Sequence, residues 1–272
     1  MALPAHKLRL IRLLHEAGAL QFGSFTLKSG RISPYFFNAR RFNSGPLLTE
    51  LAGHYAQAIR HAAPRASLVF GPAYAGIPLA VASAMALSRG RKPAGFLFNR
   101  REEKTHGEMG LFVGRSPARG DRIVLVDDVI TDGGTKREAV ALLRAAFPRT
   151  PIDALVIAFD RQERDADGGS ALSRFQESTG IPVVALLTLD ELIAALAGPP
   201  RRAHAAGRRP PGAKPGRSPK AAPAALRKLP RLTGAQLRAL LDYRARYGTA
   251  APAAGPVTPG ATRAARTRRM RH

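Results

Sequence analysis

Residues 123–146, IVLVDDVITDGGTKREAVALLRAA, constrain the fold of this chain more than any other stretch. An apolar strand runs into two adjacent carboxylates, Asp127 and Asp128. A glycine pair, Gly133–Gly134, follows after four more residues and opens a helical pattern. Thr135 with Glu138 has the spacing of a capping box at that helix start. Small residues there let backbone N–H groups close around a phosphate, and the helix dipole favours the anion. Carboxylates at the strand end can accept hydrogen bonds from vicinal sugar hydroxyls or hold a divalent cation. Together these parts suit a ribose 5-phosphate. Neither G-x-x-x-x-G-K nor G-x-G-x-x-G is present here, so the nucleotide loops those patterns mark are excluded.

The pattern around it repeats. Helices are expected at 4–17 and 47–62, with a hairpin between them built from strands 25–27 and 33–37 around Ser29, Gly30 and Arg31. Apolar strands at 67–70, 123–126, 152–159 and 183–187 each lead to a helix, at 77–88, 135–146, about 170–179 and 189–197. A further strand at 94–98 leads into a charged loop. Thr188 and Glu191 form another capping box. Near-continuous apolar strands alternating with helices predict an α/β fold, a parallel sheet covered on both faces. Ligands of such sheets bind beyond the carboxyl ends of the strands.

The chain has 272 residues, 45% of them hydrophobic, enough for a sizeable core. It has no cysteine, which excludes disulfides, thiolate nucleophiles and Cys-ligated metals. No apolar run reaches the roughly 18 residues of a membrane span. The amphipathic start, interrupted by His6, Lys7, Arg9 and Arg12, is unlike a secretory signal. A cytoplasmic protein is expected, with no membrane partner.

The net charge of +24 is uneven: residues 1–197 carry +7 and residues 198–272 carry +17. Residues 198–232 are Pro, Gly, Ala and cations with hardly an apolar anchor, which predicts a disordered basic linker. Thr233 and Gln236 box the start of an amphipathic helix over 233–247, with Gly248 as its stop, expected to dock on the body. Residues 249–272 are expected to be a disordered basic tail. Arg/Lys clusters can bind nucleic acid. Base-stacking aromatics are sparse there, only Tyr243 and Tyr247, so a solvated basic segment is favoured.

The segment 124–135, VLVDDVITDGGT, resembles the 5-phosphoribosyl 1-diphosphate motif of type I phosphoribosyltransferases. The stretch FGSFTLKSGRISPYFFNARRFNSG, residues 22–45, resembles the hood of the orotate phosphoribosyltransferase family. FGPAYAGIPLA (70–80), FNRREEKTHGE (98–108) and DRQER (160–164) match the same family in order, and QLRALLDYRARYG resembles its last helix. The resemblance covers about residues 5–197 and 233–248. It implies the type I phosphoribosyltransferase fold, a central parallel sheet flanked by helices with a small N-terminal hood over about 20–45.

The resemblance also implies roles. Donor contacts fall on Lys28, Tyr74, Ala75, Arg100, Arg101, Lys104, His106, Asp127, Asp128 and the loop Val129, Ile130, Thr131, Asp132, Gly133, Gly134 and Thr135. Lys28, Phe36, Phe37, Thr131 and Arg161 would contact orotate; the fork of Arg161 suits its carboxylate. Lys104 and His106 lie in a loop that would close over the neighbouring subunit's site, making a functional homodimer. With Asp128 they are the expected catalytic groups. Mg²⁺ is the implied cofactor, held mainly through the donor with no direct protein ligand set. The implied reaction makes orotidine 5′-phosphate for pyrimidine biosynthesis.

Three positions depart from the pattern: Ala75 stands where a relative has Lys, Arg101 replaces Lys, and Asp132 lies inside the phosphate loop. The family also places a non-proline cis peptide at Ala73–Tyr74. The rival readings are a donor-sensing, nucleic-acid-binding regulator of the same fold, and a purine or nicotinate phosphoribosyltransferase.

Overall fold

In the computed structural model, residues 3–27, 29–90, 93–104, 110–131, 133–164, 168–197 and 232–249 are described. Lys28, His106, Asp132, the side chain of Lys104, and the segments 198–231 and 250–272 lie outside this description.

The chain opens with α1 (Ala5–Glu16), then a hairpin of β1 (Leu20–Thr26) and β2 (Ile32–Phe37). A short 3₁₀ turn and α2 (Gly45–Ala62) lead to β3 (Leu68–Gly71) and α3 (Gly76–Ser88). Then come β4 (Gly95–Lys104), β5 (Gly110–Gly114), β6 (Ile123–Val129) and α4 (Gly134–Ala146). The body ends with β7 (Ile152–Asp160), α5 (Ala171–Thr179), β8 (Val183–Thr188) and α6 (Leu189–Ala197). A last helix, α7, spans Gly234–Tyr247.

Six strands form one sheet in the order β5-β4-β3-β6-β7-β8. All neighbours are parallel except β5, which runs antiparallel on the edge beside β4. The strands alternate as a two-faced sheet demands. Val124 and Val126 point into one core with α1, α2, α3, α6, the hairpin and α7. Ile123 and Leu125 point into a second core with α4 and α5. Both faces are covered, which is why these strands read as continuous apolar runs. No helix among the described residues is long and apolar enough to cross a membrane.

Chain order reverses between β3 and β6: β4 and β5 lie on one side of β3, β7 and β8 beyond β6. In open α/β sheets a crevice forms at the carboxyl ends of strands where the order reverses. Here that places the loop after Gly71 beside the end of β6.

Two expectations are corrected. The charged run after Phe98 is not all loop: β4 continues to Lys104 and pairs with β5, Phe98 facing Val113 and Lys104 facing Gly110. The apolar stretch of β5 offers a hydrogen-bonding partner that outweighs the charge of the run. The capping box expected at Thr135 does not open the helix; the N-cap is Gly133, two residues earlier. Gly133 takes a left-handed φ of 76°, which turns the chain into the helix before Thr135 is reached. The boxes at Thr188/Glu191 and Thr233/Gln236 both form.

Candidate active site

The carboxyl ends of β3, β4, β6 and β7 lie at the same end of the sheet. From β3, Gly71 leads into a tight loop: a Cβ at Gly71 would lie 2.0 Å from the Gly76 carbonyl oxygen, so only glycine lets the loop fold back on α3. Within this loop the Ala73–Tyr74 peptide is cis. The Ala73 N–H donates to Asn99 Oδ1 at 3.2 Å, fastening the loop to β4. Tyr74 is exposed, and the Arg101 guanidinium of β4 lies 5.5 Å over its ring. Ala75 is exposed at the helix start. Arg100 Nη1 donates to the Gly110 carbonyl at 2.7 Å, tying β4 to β5.

β6 delivers the acid pair. Asp127 is buried, and its Oδ2 lies 2.5 Å from Nζ of Lys136, a lysine of α4 that is itself buried. Its Oδ1 accepts the Asp128 N–H at 2.9 Å, and its carbonyl accepts the Tyr55 hydroxyl of α2 at 2.7 Å. Asp128 is half-buried, with Oδ1 accepting the Val129 N–H at 2.7 Å. Burial, then the Asp127 charge, push its carboxyl above the usual range, while Lys136 pulls it down. The acid pair is therefore asymmetric. Asp127 is committed to a cation, whereas Asp128 stands beside the crevice.

Beyond the pair, Ile130 is buried in the core below α4 and α5, so only its main chain can face a ligand. Thr131 is exposed. Gly133, Gly134 and Thr135 form the glycine-led start of α4. Backbone N–H groups at such a start suit an anion.

The hairpin and β7 supply the other wall. Strand alternation sends Phe36 and Phe37 to opposite faces. Phe37 is buried and stacks on Phe159 at 5.5 Å, so its ring serves the core; Phe36 stacks on Phe25 at 5.5 Å. Arg161 follows β7 and donates to Glu163 Oε1 from Nε at 2.9 Å and Nη2 at 2.6 Å. Its guanidinium lies 4.8 Å over the Tyr35 ring. Register puts it at the same sheet end as the acid pair, since Val129 faces Phe159. A separate cleft of about 550 Å³ lies between the hairpin and α7, lined by Ile32, Ser33, Tyr243 and Arg246 among others; neither aspartate lines it. The crevice at the strand ends is the candidate site, because acids, loop cations and helix start meet there.

The structure thus brings Tyr74, Ala75, Arg100, Arg101, Asp127, Asp128, the loop 129–131, Gly133–Thr135 and Arg161 to one end of the sheet. Sequence reading missed Lys136, Glu163 and Tyr55. For Lys136 a signal existed: it precedes Val140 by four residues and Leu143 by seven, on the buried stripe of α4. Nothing local distinguished Glu163 or Tyr55 from a surface acid and a core aromatic.

Residues 41–184 match the family described as the phosphoribosyl transferase domain. An orotate phosphoribosyltransferase of Stenotrophomonas maltophilia is 47% identical over 197 residues, covering 72% of this chain and 89% of that one. One from Chromohalobacter salexigens is 48% identical over 200 residues, covering 71% and 84%. The crystal structure of an orotate phosphoribosyltransferase from Francisella tularensis superposes with a TM-score of 0.68 at 30% identity, covering 89% of this chain and all of that one. With a hood, a strand-end acid pair and a glycine-led helix start following in that order along the chain, the identity to these relatives over most of their length places the chain in the orotate phosphoribosyltransferase family.

Proposed function

We propose that this chain transfers the 5-phosphoribosyl group from 5-phosphoribosyl 1-diphosphate to N1 of orotate, giving orotidine 5′-phosphate and diphosphate in pyrimidine biosynthesis. The observation that carries the reading is the acid pair at the β3/β6 reversal, followed within one short loop by the glycine-led start of α4. The N–H groups of 133–135 receive the 5-phosphate, and the side chain of Asp128 accepts from the ribose hydroxyls. Lys136 holds Asp127, so the pair does not carry two uncompensated charges into the pocket.

Bond breaking at C1 of the ribose leads, and positive charge develops on the ring. Asp128 lies where that charge is stabilised, by preorganised electrostatics rather than covalent attack. Arg100 and Arg101 flank the leaving diphosphate, joined by Lys104 at the end of the β4–β5 ribbon and by His106, which follows it in the sequence; one of the two can give a proton as the bond breaks. The ribbon reaches the site of a second copy, so the active species is a homodimer. Arg161 binds the acceptor carboxylate, with Phe36, the main chain at Phe37, Thr131 and Lys28 around the ring.

The oxygen donors of this site suit Mg²⁺, a hard cation that keeps several waters. Among the described residues no three His, Asp or Glu side chains converge on one point. The donor's own oxygens would hold the ion, which would neutralise the diphosphate when bound.

Mixing the chain with orotate, the donor and Mg²⁺ should consume orotate absorbance. Turnover with a purine and none with orotate would move the assignment to another branch of the family. The action of the ribbon in trans has its own check. Lys104→Ala and Asp128→Asn variants, each inactive, should regain activity on mixing, with one intact site per heterodimer. Subunit exchange without regained activity would place Lys104 in its own subunit's site.

A further inference from the structure

The helix α7 is separated from the body by a long basic segment, yet it grips the loop that carries Arg161. The Glu163 carboxylate is the centre of the grip. Its Oε1 accepts both Arg161 donors, the Tyr243 hydroxyl of α7 at 2.9 Å and the Tyr35 hydroxyl of the hood at 3.4 Å. Tyr35 and Tyr243 meet edge to face at 6.1 Å, so the four side chains, two aromatic and two charged, lock one another. Burial, then the Glu163 charge, push the Tyr243 phenol up to about 12, so it remains a donor across the neutral range.

The backbone repeats the pattern. The Arg164 N–H donates to the Tyr247 carbonyl at 2.8 Å, and the Thr249 N–H donates to the Gln162 carbonyl at 2.8 Å. Between them Glu163 and Gly248 form an antiparallel bridge. Arg244 of α7 pairs with Asp190 of α6 at 2.7 Å, and Asp190 also takes the buried Gln162 side chain at 3.1 Å. Gln162 has a left-handed φ of 51°, a conformation rare outside glycine and one that these bonds hold. The loop 161–164 is therefore shaped by the last turns of α7.

The guanidinium has two usable edges. Glu163 takes the Nε/Nη2 edge and Ser33 Oγ lies 3.5 Å from Nη2, which leaves Nη1 to lead the contact with a carboxylate. We infer that Tyr243 and Glu163 are positioning residues that aim Arg161 at the acceptor, so that docking of α7 sets the preference for a carboxylate-bearing pyrimidine. The inference rests on the reading of Arg161 as the acceptor's carboxylate ligand.

Tyr243→Phe removes one hydroxyl and keeps the ring. The full-length variant should raise KM for orotate on the order of tenfold, the scale of one hydrogen bond to a charged group. The donor's KM and kcat should stay within about twofold of wild type on that same basis. Competitive inhibition by uracil, which lacks the carboxylate, should be unchanged, so the preference for orotate over uracil falls with the KM change. Glu163→Gln should do the same more strongly. Equal changes in both KM values, or an unchanged orotate KM, would overturn the inference. Arg161→Ala separates the two levels. If it leaves orotate KM unaltered, the assignment of Arg161 itself fails. If it raises orotate KM steeply while Tyr243→Phe and Glu163→Gln do not, only the α7 coupling fails.

Discussion

A Lys136→Met variant loses about 3–5 kcal/mol of folding stability, the usual cost of stripping one partner from a buried ion pair. In a folded body of this size that lowers Tm by roughly 10 °C. The side chains of Lys136 and Asp127 are 10% and 7% exposed, so solvent screens the contact little. Asp127 cannot turn away from the loss. Its Oδ1 is fixed by the Asp128 N–H and its main chain by Tyr55, at the end of a strand with neighbours on both sides. The charge stays buried, with Asp128 beside it. Methionine fills most of the lysine volume, so a cavity contributes little. The companion result is a double variant, Asp127→Asn with Lys136→Met, more stable than Lys136→Met alone, because the uncompensated charge is then gone. Differential scanning calorimetry of the set decides the matter. A Tm within 2 °C of wild type for Lys136→Met would mean that the pair is solvated and contributes nothing.

Lys136 also shows where sequence reading stopped. The β6 strand was legible because a strand covered on both faces must be apolar throughout, and the acid pair stood out against it. The helix start was legible as a place but not as a cap: any capping rule favours Thr135 over Gly133, yet the left-handed turn at Gly133 decides. The extension of β4 was hidden because charge argues for solvent, and the partner that overrides it, β5, is five residues on an edge. The hairpin's aromatics read as one group, whereas the pleat divides them, Phe37 to the core and Phe36 to the other face. Arg161 was legible as a carboxylate fork, but not its partner Glu163, whose other bonds come from residues 128 positions before it and 80 after. Such convergence follows from the closing of the hood and α7 over β7, which no local pattern encodes.

An Asp128→Asn variant gains stability while losing catalysis. The lost preorganised charge lowers kcat on the order of 10²–10³-fold, as for other single groups facing a developing charge. The gain follows from the raised carboxyl. Burial and Asp127 make ionised Asp128 costly, so the native state holds its proton more tightly than the unfolded chain. Between the ordinary value of 3.8 and the higher folded value the unfolded state binds fewer protons, and stability falls as pH rises. Below 3.8 both states are protonated and the penalty vanishes; above the folded value it is complete. Asparagine carries no charge and can still accept the Val129 N–H. Its Tm advantage over wild type should therefore be absent at the acid end, grow across that window and level off above it. Donor binding reverses the ranking, since ribose hydroxyls then offset the cost in the wild-type protein. The donor should raise Tm more for wild type than for the variant. Thermal scans from pH 3.5 to 8, with and without donor, carry both readouts. A variant no more stable than wild type at pH 8 would show that Asp128 is solvated there, and that the strand end stores no cost for the sugar to relieve.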